Sequence, residues 1–267
     1  GFLIAVWRVF LDFPDVIFSK GGYASFPILL AARIFGIPLI IHESDLAPGR
    51  VNDWSKKFAE RIAISFAESL KYFPEAKTAL VGNPVRKEIL GGNKEEARAL
   101  FGLEPDLPVI FAVGGSQGAE VLNEAILGAL PDFVEKYQLI HQTGKNNFSE
   151  VKKRADYILE KNERKSRYHL FAFLDEGAMR GAGFISDLII ARAGSGAIFE
   201  IAAFGKPSIL IPLSHAAQDH QRENAYAYAR TGASEVIEED NLTRHLLIFQ
   251  INRIMNDDNL KQRMTSS

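Results

Sequence analysis

The sequence predicts an α/β chain: βα units on parallel sheets, in two successive parts. Three observations predict it. Apolar runs rich in Val, Ile and Leu alternate with helical patterns along the chain, as strands joined by crossover helices do. The run 109–113 stops at Gly114, Gly115 and Gly118, and a helical pattern opens at once with Val121, Leu122, Ala125 and Ile126. A second strand, small-residue turn and helix follows at Arg192-Ala-Gly-Ser-Gly-Ala-Ile-Phe-Glu200.

Taken in order, the first part reads as helix 2–11, strand 16–19, helix 26–35, strand 38–42, helix 51–58, and strands 62–66 and 79–81. Arg33, Gly36 and Pro38 divide the apolar stretch 28–41 into a helix and a strand, because Gly and Pro end a helix. Pro84 and Gly91-Gly92 then interrupt the pattern, so 84–106 is the expected junction. Within it, Lys94-Glu-Glu-Ala-Arg98 favours a short helix over 93–103. The second part reads as six strands, near 109–113, 138–142, 168–171, 188–191, 208–211 and 234–237, and a closing helix over 241–264. Expected domains are 1–88, 89–242 and a C-terminal helix 243–267. The first part has about four strands and opens on a helix. If both parts share one architecture, about two βα units of roughly thirty residues each are expected upstream of Gly1.

The bulk properties narrow the function. The chain has 267 residues, 47% hydrophobic and 24% charged, and a net charge of −2. It can bury a core, and its charge balance does not point to nucleic acid. It has no cysteine, which excludes disulfides and thiolate metal sites. No apolar run reaches the roughly 18 residues that span a bilayer.

Four segments can carry chemistry. The turn Gly114-Gly-Ser-Gln-Gly118 precedes a helix N-terminus, whose free N–H groups and positive dipole end suit phosphate. It reads either as a diphosphate cradle, with the Ser116 hydroxyl as an extra donor, or as a packing turn. It lacks the G-x-G-x-x-G spacing, and Gly144-Lys145 is not a P-loop. In the second turn, Glu200 either accepts hydrogen bonds from ribose hydroxyls or stabilises a helix end; Gly205 and Pro207 stop that helix. The loop after strand 208–211 holds His215, Gln218, His220 and Gln221. Two histidines five apart make a poor metal site, so this loop reads as a polar-ligand edge or a solvated cap. In the first part, Lys20-Gly-Gly-Tyr-Ala-Ser25, His42-Glu43 and Ser44-Asp-Leu-Ala-Pro-Gly49 all follow strands, on the sheet edge where α/β folds bind ligands. His42-Glu43 also reads as a mutually satisfied pair. The stripe Phe2, Leu3, Val6, Trp7 and Phe10, with Arg8 beside it, reads as a core face or a membrane-surface face.

The ordered set Gly21-Gly-Tyr, His42-Glu, Gly82-Asn-Pro-Val-Arg86, Gly114-Gly-Ser-Gln-Gly118, His141-Gln-Thr-Gly144, Gly194-Ser-Gly-Ala with Glu200, and Gln221 with Asn224-Ala225 resembles the MurG family. These UDP-N-acetylglucosamine transferases convert lipid I to lipid II in bacterial peptidoglycan synthesis. The resemblance covers nearly the whole chain. It implies the GT-B architecture, two Rossmann-like domains facing a cleft, the first of them incomplete here. It implies a donor site of Arg86, Gly115, Ser116, Gln117, Leu174 (through its backbone, at the uracil), Ser195, Gly196, Ala197, Ile198, Phe199, Glu200 (on the ribose) and Gln221 (on the sugar). It places Gly21, Gly22, Tyr23, His42, Glu43 and Asp45 on the acceptor side.

The same resemblance implies lipid I as acceptor, no cofactor and no metal, and a peripheral location on the cytoplasmic face of the inner membrane, with the Trp7 stripe facing the bilayer. Two departures stand out. The family's first glycine loop, with the histidine proposed to act in catalysis, has no counterpart in these residues, so the chain alone is expected to be inactive. Many members have Gln-Asn where this chain has Ser44-Asp45. Rival expectations are a related UDP-sugar lipid glycosyltransferase, a UDP-N-acetylglucosamine 2-epimerase, and a non-catalytic nucleotide-sugar-binding half.

Overall fold

The computed structural model describes residues 1–114, 119–214 and 219–267. Gly115, Ser116, Gln117 and Gly118 of the first turn, and His215 and Gln218 of the later loop, lie outside the described residues. The chain divides into two compact units, Gly1–Pro84 and Val85–Ser267. The division falls a few residues before the expected 88 because Val85 and Ile89 pack in the second unit's core.

The first unit runs α1 (Phe2–Asp12), β1 (Ile17–Ser19), α2 (Phe26–Phe35), β2 (Leu39–Glu43), α3 (Arg50–Ser55), β3 (Arg61–Ile64) and β4 (Thr78–Leu80). Its four strands pair in parallel in the order β1-β2-β3-β4. Leu29 of α2 packs with Leu39, Ile41, Ile62 and Ile64 of the sheet. Each such side chain contributes roughly 1.5–3 kcal/mol on burial. α1 covers a smaller cluster through Val9, against Ala31, Ala32 and Ile37. The α1 stripe therefore splits. Val6 packs inward, whereas Leu3, Trp7 and Phe10 are 80%, 62% and 56% exposed.

The second unit runs α4 (Lys94–Phe101), β5 (Val109–Val113), α5 (Glu120–Lys136), β6 (Gln138–Gln142), α6 (Phe148–Ile158), β7 (Tyr168–Phe171), α7 (Glu176–Ile185), β8 (Leu188–Ala191), α8 (Ser195–Phe204), β9 (Ser208–Leu210), α9 (His220–Ala229), β10 (Ser234–Val236), α10 (Arg244–Met255) and α11 (Asp258–Ser266). The six parallel strands lie in the order β10-β9-β8-β5-β6-β7. Successive strand residues feed opposite faces. Ile110, Leu139, Leu188 and Ile190 join one core with Leu122, Ile126 and Phe133 of α5. Phe111, Ile140, Ile189 and Ala191 join the other with Ile198 and Ile201 of α8. Both faces are thus covered, which is why these strands read as continuous apolar runs rather than alternating ones.

The expected helix 241–264 is two helices. The run Asn256-Asp-Asp-Asn259 interrupts it, and the Asp257 side chain caps α11 by accepting from the Leu260 N–H at 2.9 Å. Leu247, Ile251 and Ile254 of α10 enter the α5 core, so 243–267 belongs to the second unit. The fold class is GT-B: two Rossmann-like α/β units in one chain.

Candidate functional site

In the second unit, β5, β6 and β7 advance in one direction across the sheet, and β8 returns to the other side of β5. The neighbours β5 and β8 flank the point where strand order reverses, the crevice in which open α/β sheets bind ligands. Val113 pairs with Ala191 in register. The segments leaving those residues, Gly114 and Gly194, therefore start side by side although they are far apart in sequence. A cavity of about 790 Å³ opens there. Arg86, Gly114, Gln142, Phe173, Leu174, Arg192, Gly194, Gly196, Ala197, Glu200, Gln221 and Glu239 are among the residues that line it.

Helix α8 presents its N-terminus to this cavity. Gly194 is its N-cap, without a side-chain cap, and the Ile198 N–H makes a bond back to the Gly194 carbonyl at 3.1 Å. By helix geometry the N–H groups of Ser195, Gly196 and Ala197 have no acceptor within the helix, and the dipole makes this end positive. The expected donor residues separate here. Gly196, Ala197 and Glu200 line the cavity, whereas the Ser195, Ile198 and Phe199 side chains do not. Ile198 is buried in the core and Phe199 packs against it, because the second face of α8 seals the sheet.

Arg86 and Glu200 meet. Arg86 Nη2 donates to Glu200 Oε1 at 3.1 Å, and Arg86 Nη1 lies 3.6 Å from Glu176 Oε1 at the start of α7. The Leu174 N–H donates to Gln142 Oε1 at 2.9 Å, which fixes the backbone beside Phe173. Phe173 is half exposed, with Lys145 Nζ 5.4 Å from its ring. Gln221, in the first turn of α9, accepts from the Leu213 N–H through Oε1 at 3.2 Å.

Sequence reasoning missed Gln142, quoted within a motif but given no role, and the pair Arg192 and Glu239. Arg192 Nη2 forms an ion pair with Glu239 Oε1. Burial alone would raise the Glu239 carboxyl, but the Ser214 N–H and Arg192 hold it below its ordinary value. The available signals were an arginine directly after an apolar strand and the acidic run Glu238-Glu-Asp240.

In the first unit, His42 and Glu43 end β2. They do not pair with each other: Glu43 is satisfied by its own loop and Asn52, and His42 is engaged through Nε2 while its buried Nδ1 has no partner among the described residues. Glu43 is buried; it accepts from the Asp45 N–H at 3.1 Å, the Gly49 N–H at 3.0 Å and Asn52 Nδ2 at 2.9 Å. Its carboxylate organises the loop 44–49. Burial raises its pKa, against the pull of these bonds. His42 Nε2 lies 3.0 Å from the Gly82 carbonyl, so Nε2 carries the proton and donates. Burial lowers the His42 pKa. Gly21 has φ +79°, and a Cβ there would meet the Asn52 side chain at 2.8 Å, so both conformation and space require glycine. Asp45 is half buried, and Tyr23 stands almost fully exposed.

Residues 109–267 match the glycosyltransferase family 28 C-terminal domain, and residues 5–64 match the glycosyltransferase family 28 N-terminal domain. A Thermodesulfovibrio yellowstonii protein named UDP-N-acetylglucosamine–N-acetylmuramyl-(pentapeptide) pyrophosphoryl-undecaprenol N-acetylglucosamine transferase is 40% identical over 257 residues, covering 94% of this chain and 67% of that protein. A Bacillus thuringiensis relative named as transferase 3 of the same activity is 37% identical over 246 residues, covering 92% and 67%. The chain spans about two thirds of the length of these relatives. Among solved structures, Acinetobacter baumannii MurG matches with a TM-score of 0.76 at 26% identity, over 98% of this chain and 71% of that one. An S. aureus MnaA–UDP structure matches with a TM-score of 0.73 at 16% identity, over 99% and 73%, a likeness of fold alone.

Proposed function

The chain belongs to glycosyltransferase family 28, and we propose that it serves the transfer of N-acetylglucosamine from UDP-N-acetylglucosamine to the C4 hydroxyl of the muramyl sugar of lipid I, giving lipid II. One observation carries this reading. The two strand-exit turns start side by side at Val113 and Ala191, on a cavity that also holds Arg86, Glu200 and Gln221.

The acceptor C4 oxygen attacks the anomeric carbon from the face opposite the diphosphate. The bond to the diphosphate oxygen breaks, the hydroxyl proton passes to a general base, and the configuration inverts. Negative charge collects on the departing UDP. In this reading the N–H groups of Ser195, Gly196 and Ala197 and the guanidinium of Arg86 receive it, as oriented donors stabilise a leaving group; Gly115, Ser116 and Gln117 complete the cradle. Leu174 borders the uracil, Glu200 takes the ribose hydroxyls and Gln221 the sugar. Arg86 leaves Glu200 for the diphosphate as ribose arrives, so the two exchange partners rather than lose them. No general base is assigned to these residues.

Gly21, Gly22, Tyr23, His42 and Asp45 form the acceptor side, with Glu43 acting through the loop it organises. The exposed apolar face of α1, Leu3, Trp7 and Phe10 with Arg8 beside it, rests on the cytoplasmic membrane surface. No described helix is long and apolar enough to cross a membrane.

Calorimetric titration tests the donor assignment. UDP-N-acetylglucosamine should bind one site in competition with UDP, and ADP-glucose should not. No heat and no competition would overturn the assignment. Sugar epimerisation with donor alone would favour the epimerase reading.

A further inference from the structure

We propose that Arg192 and Glu239 are positioning residues for the hexose end of the donor, a buried ion pair that fixes the segment 211–214 against which Gln221 is set. The inference rests on the donor-site reading above.

The side chains of Arg192 and Glu239 are 12% and 10% exposed, and both line the cavity. Arg192 follows β8, the segment 211–214 follows β9, and Glu239 follows β10. These three strands are adjacent, so one ion pair ties three neighbouring strand ends together. The segment between them is held residue by residue. The Ile211 and Pro212 carbonyls accept from Arg192 Nη1 at 3.2 and 3.4 Å. The Leu213 N–H donates to Gln221 Oε1 at 3.2 Å, and the Ser214 N–H donates to Glu239 Oε2 at 2.9 Å. The Ser214 hydroxyl donates to Asp240 at 3.0 Å. Arg192 Nη1 and Nη2 and both Glu239 carboxylate oxygens are spent on the protein, which makes them positioning groups rather than ligand contacts.

Stability alone does not call for such a pair. Desolvating two charges costs about what their attraction returns, and a packed apolar pair would serve as well. What the ion pair adds is direction. By strand order the cavity-lining Phe173 and Leu174 follow β7 on one side of β8, apolar and suited to a base, and Gln221 follows β9 on the other, an amide suited to hydroxyls. Between them lies the α8 N-terminus, suited to diphosphate. A defect at Arg192 or Glu239 therefore disturbs the hexose more than the nucleotide.

The test compares UDP with UDP-N-acetylglucosamine by competition calorimetry on the wild type, Arg192→Lys, Glu239→Ala and Glu239→Gln. Glu239→Gln is nearly isosteric, keeps an acceptor for Ser214 and guards against simple misfolding. UDP affinity should stay within about twofold in each variant. The affinity of UDP-N-acetylglucosamine relative to UDP should fall about tenfold in Arg192→Lys and Glu239→Ala, the loss of one good hydrogen bond, and less in Glu239→Gln. An unchanged ratio in all three, or parallel loss of both ligands, overturns the proposal. A wild type that binds neither ligand overturns the donor reading itself, a separate result.

Discussion

Arg86 reaches Glu200 across 114 residues of sequence, Nη2 donating to Oε1 at 3.1 Å. The guanidinium is nearly half exposed, so the pair adds at most about 1 kcal/mol to stability. Its value lies in holding both groups at the cavity in the absence of ligand. Glu200→Ala and Arg86→Ala should each weaken UDP binding by about 10–100-fold, the range for charge-assisted hydrogen bonds, with little change in thermal midpoint. Calorimetry beside thermal melts checks this; a lowered midpoint with unchanged affinity contradicts it.

Acid should destabilise the second unit through His141. That ring is fully buried. Asn123 Oδ1 at 3.0 Å can only accept, so Nε2 carries the proton, and Nδ1 accepts from the Tyr168 hydroxyl at 2.8 Å. Burial lowers its pKa to about 3. Below the unfolded value of 6.5 the unfolded chain binds a proton that the folded chain refuses. Stability is therefore complete above that pH and falls by about 1.4 kcal/mol per unit as pH drops toward the folded value. Urea unfolding at pH 7.5 and pH 5 should differ by about 2 kcal/mol from this residue. Burial also lowers His169, which adds in the same direction in this unit, and His42, which acts likewise in the first unit. His141→Gln should remove its share of the difference; an unchanged pH dependence in that variant contradicts the assignment.

Gly183→Ala should damage the cavity wall from behind. A Cβ at Gly183 of α7 would lie 2.4 Å from the Phe204 ring, and Phe204 lines the cavity. Overpacking of this kind costs typically about 1–3 kcal/mol. The ring must shift, so both the unfolding midpoint and UDP affinity should fall. Unchanged values for both would show that the helices move apart without cost.

Asn52→Ala should separate the two units in function. Its Nδ2 donates to Glu43 Oε2 and to the His42 carbonyl, at 2.9 and 3.2 Å. Removing a donor from a buried carboxylate costs about 1–3 kcal/mol. The first unit should therefore unfold at lower denaturant, while UDP binding by the second stays within about twofold. A large loss of UDP affinity contradicts the assignment of the donor cavity to the second unit alone.

Much of the fold was legible because parallel strands buried on both faces leave unbroken apolar runs. Val109–Val113 and Leu188–Ala191 are such runs, and each stops at a small-residue turn. Glu200 and Arg86 were legible as single residues, but their ion pair was not, since no local pattern relates positions so far apart. Arg192 and Glu239 were missed for the same reason: only strand order makes them neighbours. The split between α10 and α11 was missed because helical periodicity continues across it, and the only local sign of a break is a short polar run with Asp257 as cap. Glu43 read as half of a satisfied pair or as an acceptor-side residue; its three donors come instead from the loop 44–49 and Asn52, partners that adjacency to His42 did not reveal.

A crystal structure of the protein soaked with UDP tests the central claim most directly. The account predicts the diphosphate within hydrogen-bonding distance of the Ser195, Gly196 and Ala197 N–H groups, Glu200 on the ribose hydroxyls, and Arg86 turned from Glu200 toward phosphate. UDP bound elsewhere, or bound there with the Arg86–Glu200 pair intact and no contact to the start of α8, would contradict it.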